Sequence, residues 1–413
     1  MGRSLKILLI HGMPSTWLGQ RTVQRTVYNR EFALLRYAPE HRYVLWCPHM
    51  AITPAFQRQV KDADAILLGT TLLCARWMRP RAKFEQMIDV YKFIADAPGR
   101  VMAFPQDDYF MNETLDDWFE AWNVDTVYTP LLEHQAVLYP KTHKTAQMRH
   151  AFTGYADDSD RILASRWAKA WEMRDIDVSY RAKNLPAYYG RLGRQKAEIA
   201  DKFVLGLLRY GANLKIDIQT GGDSTHFGTT WLKFLGDSKF VLGSPSGSSM
   251  LDPRGLIHDA VTQHQNTVKQ NLSLEDAEAT WFPGQDGKHL MGALGPRNIE
   301  SALAGCCQIL AASDQYGPMK AGEHFIALQP DGSNMGDVLE QMKDTDRVKQ
   351  IVKNTGDLFE QPEYSYGHFA NRIIEDITGE PEMMERKLWG VDALLADYRM
   401  QNSIWDSELA PPE

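Results

Sequence analysis

Short runs of β-forming residues alternate with longer helical patterns along most of this chain, and that alternation limits the fold more than any other feature. It is the mark of parallel sheets whose faces are covered by helices. In the first half the predicted strands are Lys6 to Ile10, Tyr43 to Cys47, Ala65 to Thr70, Val101 to Phe104 and Thr126 to Tyr128. A second series begins near Ile176 and continues with Leu214 to Ile218, Phe240 to Gly243, Gln308 to Ala311 and Phe325 to Leu328. A helix predicted from about Arg79 to Ala97 carries Phe84, Met87, Ile88, Tyr91 and Ile94 on one face, which fits a cover for the first sheet.

With 413 residues the chain is long enough for two domains, each with its own core. Asp157 to Glu172 reads as one charged amphipathic helix, so the boundary is expected just after it. The first domain is then 1–173 and the second 174–382. The apolar pattern of Met384, Leu388, Val391, Leu394, Leu395 and Tyr398 predicts a helix in 383–413 that returns to the first domain. Two doubly wound α/β domains of this kind leave the carboxyl ends of their strands facing a common cleft, where ligands bind.

A hydrophobic content of 44%, with no apolar run long enough to span a bilayer, and a Leu5 to Ile10 run too brief for a signal peptide point to a cytoplasmic protein. Cys47, Cys74, Cys306 and Cys307 have neither metal-site spacing nor the number a disulfide framework needs. A net charge of -8 disfavours a dedicated nucleic-acid binder.

Residues 295–334 are the most informative stretch: a glycine loop, a short helix, a buried strand, then a second strand and helix. Gly295 permits close backbone approach, Pro296 suits a first helical position, and Glu300 lies about one turn inside. Amides at such an end favour a phosphate, and the carboxylate can accept both hydroxyls of a ribose. That combination predicts a nucleotide-sugar site; the competing reading is an ordinary α/β unit whose Glu300 faces water.

Other strand ends add candidates. His11 opens a loop that runs to Trp17 and lacks the dinucleotide fingerprint. Asp107 and Asp108 follow the fourth strand and could bind hydroxyls or take a proton, or simply cap a helix. No third acidic residue lies near them in sequence, so no metal is expected there. Arg181 and Lys196 are the preferred cations for a departing diphosphate, within a basic set that otherwise reads as a solvated face. Ser244, Ser246, Gly247 and Ser248 form a small-residue loop able to surround a nucleobase or phosphate, without the spacing of a serine nucleophile elbow.

Asp175 to Arg181, Gly243 to Ser249, Gly295 to Glu300 and Gly322 to Leu328 together resemble the GT-B glycosyltransferases related to spore-maturation proteins. The resemblance covers roughly residues 175–370, with a looser fit through Phe104 to Tyr109 and Thr153 to Tyr155. It implies two Rossmann-like domains and transfer from a nucleoside-diphosphate sugar, with no structural metal or other cofactor. It places Glu300 at the ribose and the loop from Gly292 through Gly295 and Pro296 to Arg297 at the diphosphate. The acceptor is open among glycan, lipid carrier, protein and small molecule, and the base among the diphosphate itself, His11, Asp107 and Asp108. One departure stands out. Many retaining relatives carry a glutamate eight residues before the ribose-binding one, where this chain has Gly292. A nucleotide-sugar epimerase of the same fold, or a binding protein with a decayed cleft, are the alternative readings.

Overall fold

The computed structural model describes residues 3–13, 25–221, 226, 229–268 and 272–381. It contains two parallel sheets and one small antiparallel pair. The first sheet has the order β2-β1-β3-β4-β5-β6. Its strands are β1 Lys6–Ile10, β2 Arg42–Trp46, β3 Ala65–Leu68, β4 Arg100–Ala103, β5 Thr126–Thr129 and β6 Gln147–His150. The second sheet is built from β7 Ile176–Ala182, β8 Ile216–Thr220, β9 Ser238–Gly243, β12 Cys307–Ala311 and β13 Ile326–Leu328. Its order is β13-β12-β9-β7-β8. Between β9 and β12 the chain adds β10 Ser246–Ser248 and β11 Met291–Ala293, which pair antiparallel.

The central strands are continuous apolar runs because both faces are covered. In β1, Leu8 and Ile10 pack with Phe56, Leu115 and Phe119 on one side. Ile7 and Leu9 face the other side, where Phe32 and Leu34 meet Tyr366, Phe369 and Ile373. Those last three belong to the Tyr366–Thr378 helix, so the return to the first sheet is made there, upstream of the 383–413 segment. The helix expected in 383–413 lies outside the described residues. The predicted Arg79 to Ala97 helix is an α-helix over Arg81–Val90 followed by a 3-10 turn over Lys92–Asp96.

The outgoing crossing also differs from the sequence-based expectation. The helix is shorter, Asp158–Trp167, and its apolar face belongs to the second domain rather than to 1–173. Leu163 packs with Leu232, Leu235, Val241 and Cys306, partners that only the folded second sheet brings together. The chain therefore crosses at Ala156 and Asp157. There it meets the returning segment, with Ala156 N–H donating to Tyr364 O at 2.7 Å and Tyr366 N–H to Ala156 O at 3.3 Å.

Asp157 fastens this crossing. It is fully buried and pairs with the buried Arg36 guanidinium at 2.6 Å, accepts from Tyr37 Oη at 3.2 Å, and caps its own helix through Ser159 N–H at 2.9 Å. Removing one member of a buried pair leaves the other charge uncompensated, a loss of about 3–5 kcal/mol. Arg36→Met is expected to lower the urea midpoint by a corresponding amount. Arg36→Met with Asp157→Asn should fall less, since no charge is left buried; the opposite order would show that the pair does not fasten the crossing.

Candidate functional site

A cavity of about 340 Å³ opens at the carboxyl ends of β7 and β9 and takes Thr26 and Gln106 from the first domain as part of its wall. Arg181, Lys196, Ser244, Ser246, Gly295, Pro296, Arg297 and Glu300 all line it. The Pro296–Leu303 helix points its amino end into this space, with Gly295 as its N-cap and Pro296 at the first turn. Asn298 holds that end in shape: its Oδ1 accepts from Gly295 N–H at 3.1 Å and its Nδ2 donates to Gln308 at 2.8 Å. One turn in, Glu300 Oε2 accepts from Trp231 Nε1 at 2.7 Å and Oε1 accepts from Thr26 Oγ1 at 3.5 Å. The carboxylate thus sits where the two domains meet.

The cations differ in how they are held. Lys196 is partly buried, and burial, with the nearby Arg297, pushes its ammonium below the ordinary lysine pKa while Asp107 opposes the shift. Among the described residues it has no carboxylate at ion-pair distance, so a bound anion would be its natural partner. Arg181, by contrast, is committed to structure. Its guanidinium pairs with Asp217 at 2.8 Å, donates to the carbonyls of Tyr180 and Asp217 at 2.9 Å, and lies 4.4 Å over the Phe234 ring. Arg297 lies 5.2 Å over the Trp231 ring and donates to the Arg181 carbonyl. Ser244 Oγ is buried in the cavity wall, near the Tyr180 hydroxyl.

Four expected residues stand elsewhere or act otherwise. Gly247 and Ser248 are paired in β10, opposite Gly292 and Met291, and do not line the cavity. Gly247 has φ 151° and packs so closely that a Cβ would lie 2.0 Å from Met291 O, while Ser248 Oγ donates to Tyr189 O and Met250 O. Asp108 is fully buried, accepting from Thr129 Oγ1 at 2.5 Å and Tyr139 Oη at 2.8 Å, and burial raises its pKa. It faces the first core and cannot reach an acceptor in the cleft. His11 is buried at the end of β1, accepts from Met13 N–H at 3.2 Å, and is kept neutral by burial and by His49. It does not line the cavity, and the rest of its loop, 14–24, lies outside the described residues.

Asp107 is placed differently from its neighbour. It adopts a left-handed φ of 54°, which turns successive side chains apart, and its Oδ1 accepts from Tyr109 Oη at 2.7 Å. Its neighbour Gln106 lines the cavity, while Asp107 does not, although its charge opposes the lowering of the Lys196 pKa.

Trp231, Thr26, Asn298 and Gln308 were not anticipated. Asn298, three residues after a Gly-Pro start, has the position of a capping side chain and was the one legible signal. Gly292 lies on β11, where a Cβ would sit 2.1 Å from Gln315 Oε1. The Gln315 side chain fills the space that a side chain at 292 would need.

No protein-family model matches the chain, and no curated protein matches it in sequence. Solved structures do. The chain is similar to an alpha-glucosyltransferase in complex with UDP and a 13-mer DNA containing a HMU base, at 10% identity, over 92% of this chain and 100% of that one, with a TM-score of 0.53. A second structure, alpha-glucosyltransferase in complex with UDP-glucose and DNA containing an abasic site, overlaps with a TM-score of 0.52 at 11% identity over the same shares. Anabaena Alr3699/HepE in complex with UDP-glucose overlaps less well, with a TM-score of 0.47 at 10% identity over 91% of this chain and 100% of that one. Similarity at such identities speaks to architecture alone. Its two parallel sheets, the cleft between their strand ends and the helix returning to the first sheet give this chain the GT-B fold.

Proposed function

We propose that the cavity binds a nucleoside-diphosphate sugar and that the chain transfers its sugar to an acceptor hydroxyl. The observation that carries this reading is the placement of Glu300 one turn inside a helix whose amino end opens into the same cavity as the unpaired Lys196 ammonium. A ribose diol can bridge to the carboxylate while the diphosphate lies against the helix end. The Trp231 indole, donating to Glu300, orients the carboxylate for that contact.

In the transfer, the acceptor oxygen bonds to the anomeric carbon as the bond to the diphosphate breaks, and the electron pair leaves with the diphosphate. Lys196, Arg297 and the helix amides meet that charge, so no structural metal is needed in this scheme. Arg181 serves by fixing the end of β7 and by holding Arg297 through its carbonyl oxygen. Of the three side chains weighed as base, Asp107 is the one that follows a cavity-lining residue, Gln106, and acts electrostatically on Lys196, and the diphosphate is the other candidate to accept the proton. Position 292 brings no carboxylate to the sugar, so a retaining course would have to proceed without it.

Two measurements test this. Melting temperature against UDP, GDP, dTDP and their sugar conjugates should rise with one nucleotide family, because selective binding to the native state stabilises it. Glu300→Ala should weaken that nucleotide by about ten- to a hundredfold, the worth of hydrogen bonds to a charged group. An unchanged affinity would remove Glu300 from the ribose.

Lys196→Met separates binding from folding. A lysine held below its unfolded pKa makes the native state bind fewer protons than the unfolded one, so wild-type stability rises with pH through that window toward ~10.4. The variant should lack that rise and should be no less stable at pH 7 without ligand, yet lose nucleotide binding. A variant that keeps full nucleotide affinity would contradict the role.

A further inference from the structure

A second cavity, of about 360 Å³, lies between the domains at the ends of β5, β6 and β12. Its polar lining comes from Glu133, His134 and His150 of the first domain and Asp314 and Gln315 of the second, with Phe152 adding an apolar ring. It adjoins the first cavity through the backbone: Leu294 lines this one and Gly295 the other. Thr153 Oγ1 donates to Leu294 O at 3.0 Å and fixes the wall between them.

The formal charge of this lining is one-sided. Gln315 donates one amide N–H to Leu290 O at 2.7 Å and turns Oε1 toward Gly292. His134 Nε2 lies 3.2 Å from the same carbonyl and donates to it. Asp314 has no hydrogen-bond or ion-pair partner among the described residues, and Glu133 has only the 3.8 Å approach of His134. Neither nitrogen of His150 is hydrogen-bonded among the described residues, and burial keeps that ring neutral, with Glu133 opposing and Arg372 reinforcing the shift. Among the described residues no Lys or Arg lines the space. Two carboxylates with no Lys or Arg beside them among the described lining residues call for a ligand that brings hydrogen-bond donors, and an ionised phosphate, which only accepts, would meet two negative charges.

We infer that this second cavity is the acceptor site and that it takes a neutral, hydroxyl-rich acceptor, a saccharide without phosphate. Its hydroxyls would donate to Asp314, Glu133 and Gln315, and a sugar face would pack on Phe152, whose ring meets His150 edge-on at 4.6 Å. The word acceptor rests on the proposed nucleotide-sugar site next door; the preference for a donor-rich ligand does not.

Ligand-observed NMR on the full chain, with and without saturating UDP, would test this with maltose, cellobiose and N-acetylglucosamine against glucose 6-phosphate and a short hydroxymethyluracil-containing oligonucleotide. At least one neutral saccharide should bind, with or without UDP. Asp314→Ala should weaken it by about tenfold, and His150→Phe, which fills the space, should abolish it. The UDP-dependent rise in melting temperature should be the same in both variants, which shows that they fold. Absence of saccharide binding while UDP still binds would overturn the inference and leave the donor site standing. Preferential binding of the phosphate-bearing probes through Asp314 and His150 would overturn it as well. Saccharide binding that depends on Asp314 when no nucleotide binds would uphold the cavity's chemistry and sink the donor reading instead.

Discussion

The double crossing between the domains is the constraint on which the rest of the structure depends, and the buried Arg36–Asp157 pair is its fastening. Each core is completed by chain that arrives through this crossing. The second domain takes Leu163 from the Asp158–Trp167 helix. The first takes Tyr366, Phe369 and Ile373 from the returning helix, which complete the cover over one face of β1 beside Phe32 and Leu34. A buried ion pair adds little net stability compared with apolar packing, but it strongly penalises any register that leaves one charge alone. Here it selects the one arrangement in which Asp157 can cap its helix and pair with Arg36 together.

From that crossing a short line of contacts leads to the site. Tyr366 stacks on Tyr37 at 6.3 Å and its hydroxyl reaches Thr26 O at 3.4 Å. Thr26 in turn touches Glu300. Gly154 lets the two domains close over this point, since a Cβ there would lie 2.8 Å from Pro296 Cβ and 2.9 Å from Thr26 Cγ2. A ligand that takes over Glu300 must therefore compete with a contact between the domains, which couples occupancy of the site to domain position.

Much of this was legible in the sequence because parallel strands buried on both faces are continuous apolar runs, as β1 and β3 show. The glycine, proline and glutamate of the Pro296–Leu303 helix were legible for a similar local reason: a helix start has fixed chemical needs. Less could be read where the deciding contact is distant. Asp158–Trp167 looks like any amphipathic helix, and only the folding of Leu232, Leu235 and Cys306 into one cluster assigns its domain. The strand β6 was missed because Gln147–His150 is polar and only partly buried, an edge strand without the apolar signature. Ser244 and Ser248 are chemically alike in sequence, yet one lines the cavity and the other is buried in sheet pairing. Asp107 and Asp108 were indistinguishable as paired carboxylates until the left-handed turn at Asp107 sent them to opposite environments.

The two cavities differ in electrostatic character although one thin strand separates them. Arg181, Lys183, Lys196 and Arg297 outnumber Asp160 and Glu300 around the first, while Glu133 and Asp314 make the second acidic. Glu133 and Asp314 are exposed, so solvent and salt moderate this contrast. An anionic diphosphate entering the second space would face two carboxylates, and a polyol entering the first would leave Lys196 without a counter-charge. The Gly292–Gln315 contact belongs to this division: a glutamate at 292 would add negative charge to the boundary itself, whereas the neutral amide of Gln315 leaves it uncharged between the two fields.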